Sequence, residues 1–347
     1  MKVAILADTH FGARNDSHQF DTFFRKFYDE VFFPYIDEHQ IKTIFHLGDV
    51  FDRRKYINFS ILYSCKQYFF EQLKQRNIDM TVILGNHDTY YKNTNDVNSL
   101  NLLLKEYPNI TVIEKPCKQI IDGKTFTFSP WICSDNFDES LDVLKDISTY
   151  CIGHFEIEGF HMFRGVKNDG GMNRSMLQHF DMVLTGHFHH RSADENIYYL
   201  GSPYEFTWSD YDDIRGFHTL DIQTQELLFI ANPHKMFHKI YYDDTKPIIY
   251  DAKNYKHACV KLIVVNKTDY LKFDKFVESL YINEIIELTI HEDFSDFESQ
   301  AIDDNLNIED TMTLLSEFID ATETTKDKTR LKTLLKTLYV EAQNIQS

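Results

Sequence analysis

The chain has 347 residues, 43% of them hydrophobic, which is enough for one large domain and a smaller one. No apolar run approaches the roughly 20 residues that span a bilayer. The five cysteines are scattered without a Cys-x-x-Cys pair, which excludes a disulfide or zinc framework and indicates a cytoplasmic protein. The formal net charge is −18, but eleven of the 54 acidic residues fall in the segment 291–325, which has no lysine or arginine. The negative charge is therefore concentrated near the C-terminus and does not exclude an anionic substrate elsewhere.

Strand-like and helix-like segments alternate from residue 1 to about residue 200, which predicts a mostly parallel sheet with helices on both faces. Helical periodicity covers 17–33 and 58–76. Pro34 is expected to end or kink the first of these helices. The aromatic stretch 56–70 fits either the core or a dimer surface, and we favour the core. The segments with strand character are 3–7, 43–47, 80–84 and 182–185.

Helices become sparse after about residue 181, and short strand-like runs follow one another with brief turns. These runs are 182–185, 197–200, 216–222, 227–230 and 239–242. They predict a second, more antiparallel sheet. Two sheets flanked by helices make a four-layer αββα sandwich, a fold of the α/β (α+β) class.

The C-terminal third predicts a small domain and a tail. Residues 257–290 have the pattern strand, helix, strand, and this βαβ unit is too small to bury much surface alone. An acidic linker should follow, and then two amphipathic helices with apolar residues at i, i+3, i+4 and i+7. The predicted segments are a main domain at 1–245, a small domain at 246–290, a linker at 291–308 and a helical tail at 309–347.

Five short motifs carry most of the functional information, in a fixed order within the first 190 residues. Most follow a strand-like run, so their polar side chains should gather where open α/β sheets place their sites, at the carboxyl ends of the strands. One such motif means little in a chain with 16 histidines, but five together argue against a purely structural explanation. The motifs are Asp8-Thr9-His10, Gly48-Asp49-Val50-Phe51-Asp52, Gly85-Asn86-His87-Asp88, Gly153-His154 and Gly186-His187-Phe188-His189.

The residue types in these motifs predict a site for two divalent metal ions. Carboxylate, imidazole and amide oxygen suit hard to borderline cations and not a thiolate zinc site. Asp49 follows a glycine, and because a carboxylate can ligate two metals at once, Asp49 is the candidate bridge. Asp8 and His10 are two residues apart, as are His187 and His189, so each pair should point the same way if its strand persists.

The remaining ligands divide into two groups. The first metal takes Asp8, His10 and His189, and the second takes Asn86, His154 and His187. Asn86 is neutral, which limits the negative charge of the site and leaves it attractive to a phosphate. His154 stands in a motif of only two residues, and His161 and His179 are alternatives to it, although neither follows a strand-like run.

His87 and Asp88 are the candidate catalytic residues beside the metals. His87 directly follows a ligand, so it can stabilise developing charge or protonate the leaving oxygen without binding a metal. Asp88 is placed to orient His87 or the loop that carries it. The nucleophile expected at such a site is water, whose pKa metals lower to around 7 in favourable cases.

This motif set resembles that of the calcineurin-like metallophosphoesterase superfamily, over about residues 1–220. The Asp-x-His, Gly-Asn-His-Asp and Gly-His-x-His forms look like those of SbcD-type DNA repair nucleases. Serine/threonine phosphatases of the superfamily have an arginine before Gly-Asn-His-Glu, whereas this chain has Leu84 and Asp88 there. The unit 257–290 resembles the capping domain of those nucleases. The segment from Gly48 to Lys55 resembles that of their phage-encoded members.

The resemblance implies a nuclease subunit of a complex that repairs or recombines double-strand breaks. It implies 3′-to-5′ exonuclease and single-strand endonuclease activity with two divalent ions, Mn²⁺ or alternatively Mg²⁺ or Fe²⁺. It further implies a homodimer that binds DNA ends, and a tail that grips a coiled-coil ATPase of the SbcC type. The compartment would be the cytoplasm of a phage-infected bacterium.

Basic side chains beside the motifs are candidate DNA contacts, although they serve equally well as solvated loop charges. They are Arg53, Arg54, Lys55 and Lys92. Two alternatives to a DNA nuclease remain open: a phosphatase or small-molecule phosphodiesterase on the same fold, and a non-catalytic adaptor. The complete ligand set argues against the adaptor.

Overall fold

The computed structural model describes residues 1–163, 165–247 and 250–292, together with residues 328, 331 and 332. The chain divides into two compact units, Met1–Met236 and Phe237–Ser347. The predicted main domain reached residue 245, but the strand Phe237–Asp243 belongs to the second unit.

Seventeen strands occur in the described residues. They are β1 (Lys2–Leu6), β2 (Thr43–His46), β3 (Asp79–Ile83), β4 (Ile110–Ile113), β5 (Cys117–Ile121), β6 (Lys124–Ser129), β7 (Tyr150–His154), β8 (His161–Phe163), β9 (Val166–Lys167), β10 (Met182–Gly186), β11 (Ser192–Asp194), β12 (Ile197–Tyr199), β13 (Gly216–Asp221), β14 (Leu227–Ala231), β15 (Phe237–Asp243), β16 (Cys259–Asn266) and β17 (Glu287–Glu292). The predicted early strands are confirmed within one or two residues at most of their ends.

Two six-stranded sheets form the first unit. The first has the order β14-β13-β1-β2-β3-β4, and the second has the order β11-β12-β10-β7-β6-β5. The prediction of a second, more antiparallel sheet from the late strands is wrong, because each sheet has three parallel and two antiparallel strand pairs. β13 and β14 instead extend the first sheet, antiparallel to β1, whereas β10 and β12 lie parallel to β7 in the second. Strand periodicity identifies a strand but not its partner, so the sequence pattern held no information on this pairing.

The two sheets pack face to face through one apolar cluster. Val3, Ile5 and Phe45 of the first sheet share it with Phe128 and Ile152 of the second. Helices cover the outer faces, which completes the predicted αββα sandwich. The α-helical and π-helical segments there are His18–Phe27, Tyr28–Phe32, Phe33–Glu38, Phe59–Cys65, Lys66–Phe70, Glu71–Gln75, Ser99–Leu103 and Phe137–Leu144. Short 3₁₀ turns occupy Arg174–Leu177 and Trp208–Asp210.

Pro34 does not end the first long helix. It lies in the first turn of Phe33–Glu38, directly after the π-helical turn Tyr28–Phe32. The Phe33 N–H donates to the Tyr28 carbonyl five residues back, so the α-helical hydrogen-bond pattern is already altered just before Pro34, which has no N–H to donate. The favoured core role of the aromatic stretch 56–70 holds for only part of it, since Tyr68 and Phe69 are buried and Phe59 is exposed.

The second unit contains a three-stranded parallel sheet, ordered β15-β16-β17. The predicted βαβ unit is confirmed, with the helix Tyr270–Ile282 between β16 and β17, and β15 adds a third strand. Asp269 caps that helix by accepting a hydrogen bond from the backbone N–H of Lys272 at 3.1 Å. A 3₁₀ turn covers Ala252–Tyr255.

The predicted acidic linker and helical tail lie almost entirely outside the described residues. Residues 291 and 292 of the predicted linker belong to β17, and residues 328, 331 and 332 have helical conformation. Among the helices that can be described, none is both long enough and apolar enough to cross a membrane.

Candidate metal centre

The predicted ligands lie at or just beyond the carboxyl ends of five strands: His154 is the last residue of β7, and the others lie in the loops after β1, β2, β3 and β10. The prediction that Asp8 and His10 share a direction because the strand continues is wrong, since β1 ends at Leu6. Asp8 and His10 have φ values of 53° and 42°, Asp49 has 54° and His187 has 88°. Residues other than glycine rarely adopt this left-handed backbone region, and such outliers gather at functional sites. Tight loops, not strand alternation, therefore aim these ligands.

The first predicted ligand group is assembled in the structure. One ligand atom each from Asp8, His10 and His189 lies within 4.8 Å of the others. The Nε2 atoms of His10 and His189 are 3.0 Å apart. The Asp8 carboxylate accepts hydrogen bonds from the backbone N–H of His187 at 3.0 and 3.2 Å, which links this group to the second.

The second group gathers around Asp49, His154 and His187, with ligand atoms again within 4.8 Å of one another. The Asn86 Oδ1 atom lies 3.0 Å from both His154 Nε2 and His187 Nδ1. His154 donates its Nδ1–H to the Leu47 carbonyl at 2.7 Å, which leaves Nε2 for a metal. The predicted ligands of the second metal thus lie together. His161 and His179, the alternatives to His154, belong to neither group.

Asp49 is central to both groups, as expected for a bridge. Its Oδ2 atom is 3.3 Å from His154 Nε2 and 3.7 Å from His10 Nε2. Burial opposes ionisation of Asp49, but the surrounding imidazoles of His154 and His87 hold the pKa of its carboxyl well below the ordinary value. The carboxylate of this candidate bridge is therefore in the ionised form that a metal ligand requires.

The donor set fits two divalent cations. Burial and the charge of Asp49 raise the pKa of Asp8 to about 6. For His10, burial opposes a charge, but Asp52, Asp49 and Asp8 raise its pKa to about 9. These shifts show a deficit of positive charge around buried carboxylates, which divalent cations would supply. Burial and neighbouring imidazoles lower the pKa of His187 to about 3, which keeps it neutral as a ligand must be.

The loop after β3 approaches the loop after β2 closely at Gly85. A Cβ atom there would overlap the Asp49 carboxylate and the Asp49 backbone nitrogen. Backbone atoms cannot move aside as the end of a flexible side chain can, so the position requires glycine.

Gly85→Ala should therefore lower the rate of phosphoester hydrolysis by about 100-fold, because displacements near 1 Å cost that much at an active site. The measurement is the initial rate with bis-p-nitrophenyl phosphate at saturating metal. Gly170→Ala is the matched control, since a Cβ there meets no atom within 4 Å. Equal rates for the two variants would contradict the expected overlap.

His87 lies beside the metal groups, and Asp52 holds it there. The His87 Nδ1–H donates to the Asp52 backbone carbonyl, and the His87 backbone N–H donates to Asp49 Oδ1 at 2.7 Å. The Asp52 carboxylate also lies 3.4 Å from His10 Nδ1. Asp52 therefore orients one predicted ligand and the predicted proton donor together, a role we did not assign from sequence although Asp52 stands in a motif.

Asp88 was predicted to orient either His87 or the loop that carries it, and its hydrogen bonds support the role on the loop, since the His87 Nδ1–H donates to Asp52. Its buried carboxylate accepts hydrogen bonds from the backbone N–H groups of Gly85, Asp49, Val50 and Phe51. Burial and the nearby charge of Asp49 raise the pKa of Asp88 to about 7. Asp88 is thus a positioning residue that ties two ligand loops together.

Two further residues at the site were not predicted. Trp131 packs its indole against the rings of His187 and His154, with centroid distances of 5.3 and 6.0 Å. His46 is fully buried, and its Nε2 atom lies 3.0 Å from the hydroxyl of Thr9, the residue between Asp8 and His10 in the sequence. No short motif surrounds either residue, so spacing in the sequence held no signal for them.

The four predicted DNA contacts differ in their surroundings. Lys55 and Lys92 are exposed. Arg53 is engaged within the chain, because its guanidinium pairs with Asp16 at 3.0 Å and covers the Tyr56 ring. Arg54 is partly buried and reaches the Thr89 carbonyl at 3.5 Å, and burial lowers its pKa.

Comparisons with known proteins agree with this geometry. The profile of the family described as calcineurin-like phosphoesterase matches residues 1–191. Exonuclease subunit 1 of Enterobacteria phage T4 is 31% identical to this chain over 353 residues, covering 99% of each chain.

Two solved structures are more distant. A novel archaeal phosphodiesterase is 16% identical and has a TM-score of 0.35, covering 67% of this chain and 100% of its own. The Pseudomonas putida nuclease MPE is 14% identical and has a TM-score of 0.31, covering 66% of this chain and 87% of its own. The family profile spans more than half of the chain, and the phage relative spans nearly all of it. The chain therefore belongs to the calcineurin-like phosphoesterase family and is a metal-dependent phosphodiesterase.

Proposed function

We propose that this protein is the DNA nuclease subunit of a complex that repairs or recombines double-strand breaks. The observation that carries the proposal is the pair of ligand groups that meet at Asp49 with His87 beside them. Identity over nearly the full length to a phage exonuclease subunit supports DNA as the substrate.

The residues of the site fit hydrolysis of a phosphodiester. Two divalent cations held by the two groups would supply Lewis-acid activation of water and of the phosphate. Asp49 bridges the groups, and Asn86 contributes an oxygen without charge, which keeps the centre attractive to an anion. His87 presents Nε2 to the reaction, because its Nδ1–H is committed to the Asp52 carbonyl. His87 thus stabilises developing charge or protonates the leaving oxygen.

The proposal extends to the native metal ion, the direction of DNA degradation and the residues that contact DNA. We take Mn²⁺ as the native ion, with Mg²⁺ and Fe²⁺ as alternatives, and both 3′-to-5′ exonuclease and single-strand endonuclease as activities. Lys55 and Lys92 are the better candidates for phosphate contacts, since both are exposed in loops beside the centre. Arg53 and Arg54 are weaker candidates because they bind groups of this chain.

We further propose a coiled-coil ATPase of the SbcC type as the partner. It would bind the helical tail at 309–347, joined by the acidic linker at 291–308, while the small domain at 246–290 acts as a cap. The apolar stripe of the tail supports this assignment. The relative is a subunit of a phage enzyme, which supports the cytoplasm of an infected bacterium as the location.

A homodimer is supported by exposed apolar side chains on two helices. Phe59 and Tyr63 lie one turn apart on Phe59–Cys65, and Leu102 lies on Ser99–Leu103. All three are more than half exposed, and Phe59 and Leu102 line an apolar cavity of about 340 Å³. Contiguous exposed apolar patches are a feature of protein interfaces, and these side chains form the patch that we propose for the dimer.

Phe59→Asp should therefore shift the protein from dimer to monomer, because burying an unpaired carboxylate in an apolar interface is unfavourable. The measurement is the mass in solution by light scattering after gel filtration. Ile147→Asp is the matched control, with 86% exposure against 87% for Phe59. A dimeric mass for both variants would place the interface elsewhere.

The test of function is incubation of the purified protein with Mn²⁺ and end-labelled single-stranded or duplex DNA. Labels at the 3′ or 5′ end distinguish the direction of degradation, and circular single strands report endonuclease activity. Shortening that is abolished by chelator is expected. Turnover of p-nitrophenyl phosphate without any DNA cleavage, also after addition of the ATPase partner, would instead identify a phosphatase.

A further inference from the structure

Arg215 is a buried arginine next to the first ligand group. It directly precedes β13 and is 5% exposed. Its Nη1 donates hydrogen bonds to the backbone carbonyl of His189 and to the Ser202 hydroxyl, the latter at 2.8 Å. Its Nη2 lies 2.7 Å from Asp210 Oδ1 and 2.9 Å from Asp213 Oδ2. One guanidinium thus joins the ligand-bearing loop to two carboxylates.

The His189 carbonyl is held from two sides. Besides Arg215, the backbone N–H of Ser202 donates to it at 3.1 Å. Gly201 permits this approach, since it has a φ of 72° and a Cβ there would lie 2.7 Å from the His189 oxygen. On the other side of the same residue, the His189 imidazole faces His10 Nε2 at 3.0 Å. The two hydrogen bonds therefore hold the backbone of His189, from which the imidazole extends toward His10.

The carboxylates around Arg215 are themselves anchored. Asp210 Oδ2 accepts hydrogen bonds from the backbone N–H groups of Phe206 and Thr207 at 2.7 and 2.9 Å. Asp213 Oδ2 accepts a hydrogen bond from His190 Nδ1–H at 2.8 Å. The Arg215–Asp213 pair therefore fixes two consecutive residues, His189 through its carbonyl and His190 through its ring.

We propose that Arg215 is a positioning residue for the first cation, and that it acts by fixing His189. The inference rests on the two-cation site of the proposed function. A buried ion pair contributes little net stability, because the cost of removing its charges from water offsets their attraction. The planar guanidinium of Arg215, however, can hold a carbonyl and two carboxylates in one geometry, which a lysine ammonium cannot. Outer partners of metal ligands commonly tune metal affinity in this way.

The test is a calorimetric Mn²⁺ titration of the full chain and of Arg215→Lys, which keeps the charge but loses the planar guanidinium. We expect two bound ions in the unmodified chain. In the variant, one of the two affinities should fall by about 10–100-fold, the range for loss of an outer partner. The other affinity should stay unchanged, and high Mn²⁺ should restore the rate of hydrolysis. Arg25→Lys is the control, since Arg25 forms an exposed pair with Asp29 at 3.1 Å.

Each outcome is decisive. A folded Arg215→Lys chain with both affinities unchanged overturns the role of Arg215 but leaves the proposed function intact. An unmodified chain that binds no Mn²⁺ overturns both the two-cation site and the inference. If Arg215→Lys does not fold, Asp213→Asn serves instead, because it removes one of the two carboxylate charges that hold the Arg215 guanidinium against the His189 carbonyl. A weaker first site is then expected, and unchanged affinities would overturn the proposal.

Discussion

His87→Ala should reduce the rate of DNA hydrolysis by about 10²–10⁴-fold, the usual contribution of a positioned acid or base. The His87 ring lies edge-on to the His10 ring, with centroids 4.8 Å apart, and its Nδ1–H is fixed by the Asp52 carbonyl. Neither of the two proposed metal groups includes His87 as a ligand. Removal of the imidazole should therefore leave the binding of both Mn²⁺ ions intact while the chemical step slows.

The nature of the leaving group distinguishes the two roles of His87. If His87 protonates the leaving oxygen, the loss should be much smaller with bis-p-nitrophenyl phosphate than with DNA, because p-nitrophenolate leaves without a proton. If His87 only stabilises charge on the phosphate, both substrates should lose equally. His257→Ala is the control, an exposed histidine in the second unit. Full activity of His87→Ala on DNA would remove His87 from the mechanism.

That the candidate ligands come together was predictable because each stands in a short motif, most of them after an apolar run, and the carboxyl ends of parallel strands meet at one edge. The assignment of Asp8, His10 and His189 to one group agrees with the structure. The expectation that a continuing strand aims Asp8 and His10 the same way does not agree with it, since both residues lie beyond the end of β1 at positive φ. Periodicity describes regular strands, and it cannot describe a loop whose conformation is imposed by its neighbours.

The features that could not be predicted from the sequence depend on contacts between distant parts of the chain. β13 lies beside β1 with Lys2 opposite Asp221, and this pairing completes the first sheet. Arg215 reaches His189 because it directly precedes that same strand. Such partners depend on which strands become neighbours, and a single sequence does not encode the choice in any local pattern.

Asp88→Asn should both destabilise the fold and reduce activity. Asp88 Oδ2 accepts hydrogen bonds from Gly85 N and Asp49 N at 2.9 and 2.8 Å, and Oδ1 accepts from Val50 N and Phe51 N at 3.0 and 3.3 Å. An amide would turn its NH₂ group toward two of these four donors. Two buried N–H groups would then lose their acceptor, at about 1–3 kcal/mol each.

Relief of the repulsion between Asp88 and Asp49 opposes this loss, so the net decrease in the free energy of unfolding should lie near the lower end, about 2–3 kcal/mol. Urea unfolding measures it, with Asp142→Asn as a control because Asp142 is 76% exposed. The same variant should lose about 100-fold in hydrolysis, since the Asp49 and His87 loops are no longer tied together. A variant as stable as the control but inactive would contradict this account, because activity would then be lost without loss of the four hydrogen bonds that tie the loops together.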